Sequence, residues 1–161
     1  TQNDSSSTGT FPLPEPQLDR FLLSIPMSLP NEVTQLEILR YHSNMAARTS
    51  TAAEVISLED LRTLQAQSSR IPVSDTLQRY LLALCQAVRT ILGQDHAVST
   101  RATLALQRAS QASALLDGQS AVHPDHVQKI FPHVLRHRLL SEATPDADHL
   151  LSSALEQTPV P

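Results

Sequence analysis

A run of apolar residues spaced three and four apart constrains this chain more than any other feature. Ser74 and Gly93 enclose positions that all fall on one face of an α-helix: Leu77, Leu81, Leu84, Cys85, Val88, Ile91 and Leu92. Serine is a favourable N-cap, and glycine readily adopts the left-handed conformation that ends many helices. The spacing therefore predicts a long helix with one buried face, which other helices must cover.

Further helices are predicted on both sides of this one. They run from Asn31 to about His42, from Ser57 to about Gln67, from about Thr100 to Leu116, and from His123-Pro124 onward, with a break or kink at Pro132. In the helix from Thr100, small residues form one face, which lets a neighbouring helix approach closely: Ala102, Ala105, Ala109 and Ala112, alternating with Leu106 and Leu116. The chain from residue 31 onward is therefore predicted to be a helical bundle.

The ends of the chain are less regular. Residues 22–28 read as a short apolar strand, interrupted by Pro26 as in a sheet edge. No partner strand is apparent, so we expect this segment to be extended, paired with another copy or poorly ordered. Residues 142–161 have weak periodicity apart from a short helix near residues 146–155, and we expect this tail to be loosely held.

Composition narrows the classes of function. The 161 residues carry 12 Lys and Arg against 16 Asp and Glu, a net charge of −4 that argues against nucleic-acid binding. No run approaches the roughly 18 apolar residues of a membrane span. Cys85 is the only cysteine and lies on an apolar stripe, which favours a small buried side chain in a reducing, cytoplasmic compartment.

Few residues carry chemistry by pattern alone. The three glycines, Gly9, Gly93 and Gly118, lie in no phosphate-binding loop, so this chain alone is not expected to hydrolyse ATP. Arg101 falls in the first turn of a predicted helix, where a cation costs about 0.3–1 kcal/mol unless an anion is nearby. It is either a phosphate ligand or a solvent-facing arginine. His133 and His137 are four residues apart, but without a nearby cysteine we interpret them as solvated histidines and predict no metal site.

Two blocks of sequence resemble the MoxR branch of the AAA+ ATPases. The first is TQND followed by GTFPLPEPQLDRF, and the second is VSTRATLALQRASQASALLDGQSAVHPDHV. Departures from the family pattern are modest: Asp4 and Ser5 replace a proline and an apolar residue, Pro16 replaces alanine, and Thr100 replaces the proline before the arginine. The resemblance extends over most of residues 1–141, with the two blocks about eighty residues apart.

The resemblance implies a role for three residues. Asn3 corresponds to sensor 1 near the terminal phosphate, Arg20 to the arginine finger that reaches a neighbouring subunit's nucleotide, and Arg101 to sensor 2. It also implies a mainly α fold, a helical-bundle lid domain of an AAA+ ATPase preceded by a remnant of the αβ core. The expected divisions are residues 1–30 for the end of that core, 31–141 for the lid and 142–161 for the tail.

The resemblance further implies the activity of a larger protein. In such a protein, ATP and Mg²⁺ are cofactors, subunits form a hexameric ring, and hydrolysis remodels or matures clients such as von Willebrand A-domain proteins or metalloenzymes. This chain lacks the Walker A and Walker B motifs and is expected to be the C-terminal part of that protein, with no nucleic-acid or membrane partner. The alternative is a freestanding helical interaction module, without a nucleotide, that uses the small-residue helix and the Leu77–Leu92 stripe to bind a partner.

Overall fold

The computed structural model describes residues 13–43, 55–95, 98–139 and 146–161. These ranges contain seven α-helices: α1 (Glu15–Leu18), α2 (Glu32–Ser43), α3 (Leu58–Ser68), α4 (Asp75–Leu92), α5 (Thr100–Leu116), α6 (Pro124–Leu135) and α7 (Ala147–Gln157). A 3₁₀ turn at Arg136–Arg138 continues α6. The described residues contain no β-strand, which confirms the predicted mainly α fold.

Four helices form the bundle. Helix α5 makes its most extensive contact with α6, while α4 packs against both α5 and α7, and α6 also touches α7. The stripe predicted on α4 is buried at Leu77, Leu81, Leu84, Cys85 and Val88. These side chains meet apolar residues of the other three helices. The resulting core consists mainly of aliphatic side chains, with few aromatic ones.

The caps of the long helices are those that the sequence predicts. Ser74 Oγ accepts a hydrogen bond of 3.2 Å from Leu77 N at the start of α4, and Gly93 ends it with φ of 65°. At the start of α5, Ser99 Oγ accepts from Ala102 N at 3.1 Å. The small face of α5 is also confirmed in large part, although Leu116 is 81% exposed rather than buried.

Of the break or kink predicted at Pro132, the break does not occur. Helix α6 continues through Pro132 to Leu135, and the 3₁₀ turn follows. Proline removes one backbone donor from the helix. Phe131 and Val134 on either side of it are fully buried, so core packing holds the helical path and outweighs the lost hydrogen bond.

The expectation of a loosely held tail is wrong for residues 147–158. Helix α7 forms there, with Asp146 Oδ1 accepting from His149 N at 2.9 Å as the N-cap. Leu150, Leu151 and Ala154 are buried in the core, and α7 contacts α4. The short helix predicted near residues 146–155 is thus present, and its narrow apolar stripe at i, i+1 and i+4 suffices to bury it in the core.

The predicted strand is not formed either. Residues 23–30 have no regular secondary structure, and Ser24 N donates instead to His133 O at 2.8 Å. Strands need a pairing partner, and the described residues offer none. The described residues up to Ser24 belong to the same compact unit as the bundle, whereas the described residues between 25 and 63 form a second unit.

The second unit contains α2 and the beginning of α3. Asn31 caps α2 through Thr34 N at 2.9 Å, and Ser57 and Asp60 form the predicted capping box of α3. Two hydrogen bonds from Ser57 lower the pKa of the Asp60 carboxyl. The predicted inner stripe of α2 is nevertheless exposed, and none of the described side chains of this unit is buried.

Candidate functional site

The candidate site is built around Asp19, the C-cap residue of α1. Its Oδ1 atom accepts a hydrogen bond from Ser99 Oγ at 2.8 Å and another from Arg138 Nε at 3.0 Å. Its Oδ2 atom lies 3.6 Å from Arg101 Nη1. We call these four residues the Asp19 cluster. It joins the short N-terminal helix to the start of α5 and to the turn after α6.

Arg138 is the buried cation of the Asp19 cluster. Its side chain is 3% exposed, which is unusual for arginine outside an ion pair. Besides the Asp19 carboxylate, its Nη2 donates to the backbone oxygens of Asp19 and Phe21 at 3.2 and 2.6 Å. Its Nη1 donates to the backbone oxygens of Leu22, at 3.4 Å, and Val134. The planar guanidinium thus satisfies several acceptors at once, which a lysine could not do in the same geometry.

Two histidines hold the same stretch of backbone, residues 19–24, which we call the anchored segment. His137 Nε2 lies 3.3 Å from Phe21 O, and His133 Nδ1 lies 3.3 Å from Ser24 O. Since carbonyl oxygens only accept, each of these ring nitrogens carries the hydrogen. The two side chains predicted to be solvated are therefore docking contacts, and His137 is buried.

Burial sets the protonation of His137. Desolvation, with the neighbouring Arg138 charge as the second cause, lowers the pKa of His137 below its ordinary range. The Nδ1 atom of His137 is buried and has no hydrogen-bond partner within the part of the chain that the structure describes. Burial and the Arg138 charge therefore disfavour the protonated ring and outweigh the nearby Asp19 carboxylate, which acts in the opposite direction.

Arg101 lies where the sequence places it, in the first turn of α5. Its side chain is 61% exposed, and the carboxylate of Asp19 is its ion-pair partner among the described residues. At 3.6 Å this contact is long for a charge-assisted hydrogen bond, which is normally about 2.7–2.9 Å. The guanidinium therefore keeps donors available for an anion at the start of α5, where backbone amides favour negative charge.

The other two predicted site residues are Arg20 and Asn3. Arg20 follows Asp19 directly and is exposed; its backbone N–H donates to Gln17 O at 3.2 Å. Arg20 makes no ion pair with any residue in the described ranges. Asn3 lies outside the described residues. Arg20 and Arg101 thus lie on the two polypeptide segments that Asp19 joins.

Sequence reasoning missed three members of this arrangement. Asp19 stands inside the quoted LDRF motif, which could have drawn attention to it, and Ser99 stands inside the second quoted block. Arg138 has no signal in sequence, since its partners Asp19 and Phe21 lie more than a hundred residues away. Cys85 was interpreted correctly: it is buried, and desolvation raises the pKa of its thiol.

Comparison with known proteins identifies the architecture. Residues 82–158 match the family model of the AAA lid domain. Protein YeaC of Bacillus subtilis is 35% identical over 140 residues, covering 87% of this chain and 43% of YeaC. Chaperone MoxR1 of Mycobacterium tuberculosis is 33% identical over 149 residues, covering 87% of this chain and 39% of MoxR1. A crystal structure from Cytophaga hutchinsonii, described as a candidate ATPase, has a TM-score of 0.83 at 25% identity and covers 99% of this chain and 52% of that one.

The bundle of α4 to α7 is the helical lid of an AAA+ protein, as both the family match and the structural match show. Within that class, the chain belongs to the MoxR family. It spans less than half the length of the curated relatives named above. None of the helices in the described ranges is long and apolar enough to cross a membrane.

The surfaces proposed for the alternative function are used inside the chain. The α4 stripe is buried from Leu77 to Val88, although Ile91 is 38% exposed, and Ala102, Ala105 and Ala109 of α5 are buried as well. These buried faces cover one another and α6, so they cannot receive a partner while the bundle is folded. Most of the surface on which the freestanding interaction module was based is therefore occupied within the chain.

Proposed function

We propose that this chain is the nucleotide-responsive part of a MoxR-type ATPase that couples ATP binding and hydrolysis to remodelling or maturation of partner proteins. Arg101 contacts the phosphates of ATP bound by the same subunit, as sensor 2. Arg20 acts on the nucleotide of a neighbouring subunit, as the arginine finger. Asn3 orients the attacking water or contacts the terminal phosphate, as sensor 1.

One observation carries the proposal: Arg101 presents a mostly exposed guanidinium at the first turn of α5, held only loosely by Asp19. An arginine beside free helix amides binds phosphate oxygens well, because it donates in a fork and the helix dipole favours the anion. Exposed ion pairs such as Arg101 with Asp19 contribute about 0–1 kcal/mol, so a phosphate can replace the carboxylate. The donor set therefore fits a nucleotide phosphate.

Arg20 suits a task outside its own subunit. Its side chain is exposed, while its backbone is fixed because Asp19 and Phe21 on either side are held by Arg138. A guanidinium supplied in this way stabilises negative charge that develops during phosphoryl transfer, and its removal lowers turnover by factors of about 10³–10⁵ in related chemistry. A fixed backbone reduces the freedom that such a side chain loses in the transition state.

ATP and Mg²⁺ are the cofactors in this proposal. Mg²⁺ polarises phosphate oxygens and neutralises their charge when it is bound. The described residues contain no group of three or more His, Cys, Asp or Glu that could hold a metal ion. The contribution of Arg101 and Arg20 is to bind and orient the phosphates.

The partners follow from the same proposal. Neighbouring subunits of a hexameric ring would face Arg20, and a cytoplasmic client of the von Willebrand A-domain or metalloenzyme kind would be remodelled. The names of relatives such as chaperone MoxR1 support a chaperone-like role. No nucleic acid or membrane is needed.

The native reading frame gives the first test. We expect the region encoded within about 150–200 residues upstream of Thr1, the usual size of one domain, to contain a phosphate-binding loop and an apolar strand ending in acidic residues. A start codon immediately before Thr1, with neither motif encoded by the gene, would refute the proposal.

Substitution of Arg101 in the whole protein gives the second test. We expect Arg101→Ala to assemble normally and to lose ATPase activity, because the phosphates lose their ligand from the lid. Arg108→Ala is the matched control, since Arg108 is also exposed and lies two turns further along α5. Unchanged ATPase activity in Arg101→Ala, or equal losses in both variants, would remove Arg101 from the nucleotide site.

A further inference from the structure

Asp19 lies between the two arginines that the proposed function uses. Its backbone is continuous with Arg20, and its Oδ2 atom faces Arg101 at 3.6 Å. Its Oδ1 atom is held independently by Ser99 and Arg138, at 2.8 and 3.0 Å. The two carboxylate oxygens of Asp19 therefore have different roles: Oδ1 fixes Asp19 to the bundle, and Oδ2 orients Arg101.

The anchoring does not depend on Arg101. Arg138 is buried and also binds the backbone oxygens of Asp19 and Phe21, so it holds the backbone on both sides of Arg20. Arg101, in contrast, is largely exposed and meets Asp19 by a single long contact. When Arg101 moves toward a phosphate, Asp19 can remain in place through Oδ1.

We propose that Asp19 is a positioning residue. Its carboxylate fixes the position of the Arg101 guanidinium and of the Arg20 backbone on the lid. This inference rests on the proposed function, because it concerns how the two arginines act together. A single carboxylate would then align the residue that binds a subunit's own nucleotide with the residue that acts on the neighbour's. Asp19 itself touches no phosphate.

The direct test is Asp19→Asn in the whole protein, assayed for ATP turnover. Asparagine keeps an oxygen that accepts from Ser99 and Arg138 but loses the charge that attracts Arg101 and that pairs with buried Arg138. We expect KM for ATP to rise and kcat to fall, each by about two- to fivefold, the range that an exposed ion pair supports. Glu15→Gln is the matched control, since Glu15 is an exposed carboxylate one turn earlier on α1 and should leave both constants unchanged.

Double variants separate positioning from a general loss of structure. If Asp19 acts through Arg101, Asp19→Asn should add nothing to the KM of Arg101→Ala. If it acts through Arg20, it should add nothing to the kcat loss of Arg20→Ala. Losses that multiply in both backgrounds, or unchanged constants in Asp19→Asn alone, would overturn the inference.

A readout on the 161-residue chain keeps this inference distinct from the proposed function. In NMR spectra, Asp19→Asn should move the Arg101 side-chain Nε signal, while Glu15→Gln should leave it in place. A stationary Arg101 signal would overturn the inference whatever the ATPase assay gives. Wild-type turnover in both Arg101→Ala and Arg20→Ala, with the signal moving as expected, would instead overturn the proposed function and, with it, the catalytic meaning of the positioning.

Discussion

The replacement of Arg138 by methionine tests how much one buried guanidinium stabilises the docking of the anchored segment. Methionine keeps the aliphatic volume of the side chain and removes every donor. The variant loses the 3.0 Å bond to the Asp19 carboxylate and the bonds to the backbone oxygens of Asp19, Phe21, Leu22 and Val134.

The magnitude follows from burial. Removing one partner of a buried ion pair costs about 3–5 kcal/mol, because the remaining charge is left unpaired. Asp19 is 23% exposed and keeps Ser99 as a donor, so water and the hydroxyl compensate in part. We therefore expect a loss of about 3 kcal/mol in the free energy of unfolding, the lower end of that range. Release of the anchored segment would limit any larger loss, since the rest of the bundle can stay folded without it.

The assay is urea unfolding of the 161-residue chain, followed by circular dichroism at the helical band, with hydrogen exchange at the Ser24 amide as a local readout. Arg136→Met is the matched control: Arg136 lies two residues earlier and pairs with Asp148 at 2.8 Å, but their side chains are 40% and 59% exposed. Exposed pairs contribute about 0–1 kcal/mol, so the control should be close to wild type. Arg138→Lys should lie between Arg138→Met and wild type, because an ammonium keeps the charge that pairs with Asp19 but cannot reproduce the fork.

A specific result would refute this reasoning. If Arg138→Met and Arg136→Met lost similar amounts of stability, or if Ser24 exchanged no faster in Arg138→Met than in wild type, the buried guanidinium would not be what holds the anchored segment. A full recovery of stability in Arg138→Lys would show that charge alone suffices and that the geometry of the fork is unimportant.

Three further predictions concern other contacts of the bundle. Ser99→Ala should destabilise the chain by about 1–3 kcal/mol more than Ser74→Ala in urea unfolding, because both remove an N-cap but Ser99 also binds a carboxylate; equal losses would deny that second bond. Because burial lowers the pKa of folded His137, the unfolded chain takes up its proton first as pH falls through about 6.5. Stability should thus decrease below that pH and be unaffected above it, and this dependence should weaken in His137→Gln but not in the control His149→Gln, an exposed histidine of α7. Cys85 should react with iodoacetamide much more slowly at pH 7 in the folded chain than in urea, since its thiol is buried and its pKa is raised; equal rates would contradict its burial.

The helices of the bundle could largely be predicted, and the reason is local. Periodicity, the serine caps and Gly93 act within a few residues of the helices they define, so α4 and α5 have the predicted ends. The errors lie where tertiary packing overrides a local rule. Pro132 stays helical because its neighbours are buried, and the predicted helix α7 is held in the core instead of loosely because α4 provides a surface for its stripe.

The candidate site, like the fold, could be predicted from the sequence only in part. Sequence resemblance alone suggests the proposed roles of Arg101 and Arg20, because each stands in a recognisable motif. It could not show that Asp19 joins them, since Asp19 and Ser99 are 80 residues apart and Arg138 is 119 residues from Asp19. Contacts at that separation depend on how the helices stack, which no local pattern encodes.

The sequence by itself determined which segments of the bundle are helical, where α4 and α5 begin, and which family the chain resembles, because these properties depend on neighbouring residues and on motifs. Only the tertiary structure decided that the LDRF segment is docked on the lid and that Arg138 is buried beneath it. A buried guanidinium is stable only when several acceptors surround it, and those acceptors come together only after the bundle has folded. The physical link between the two proposed nucleotide arginines is therefore a property of the fold.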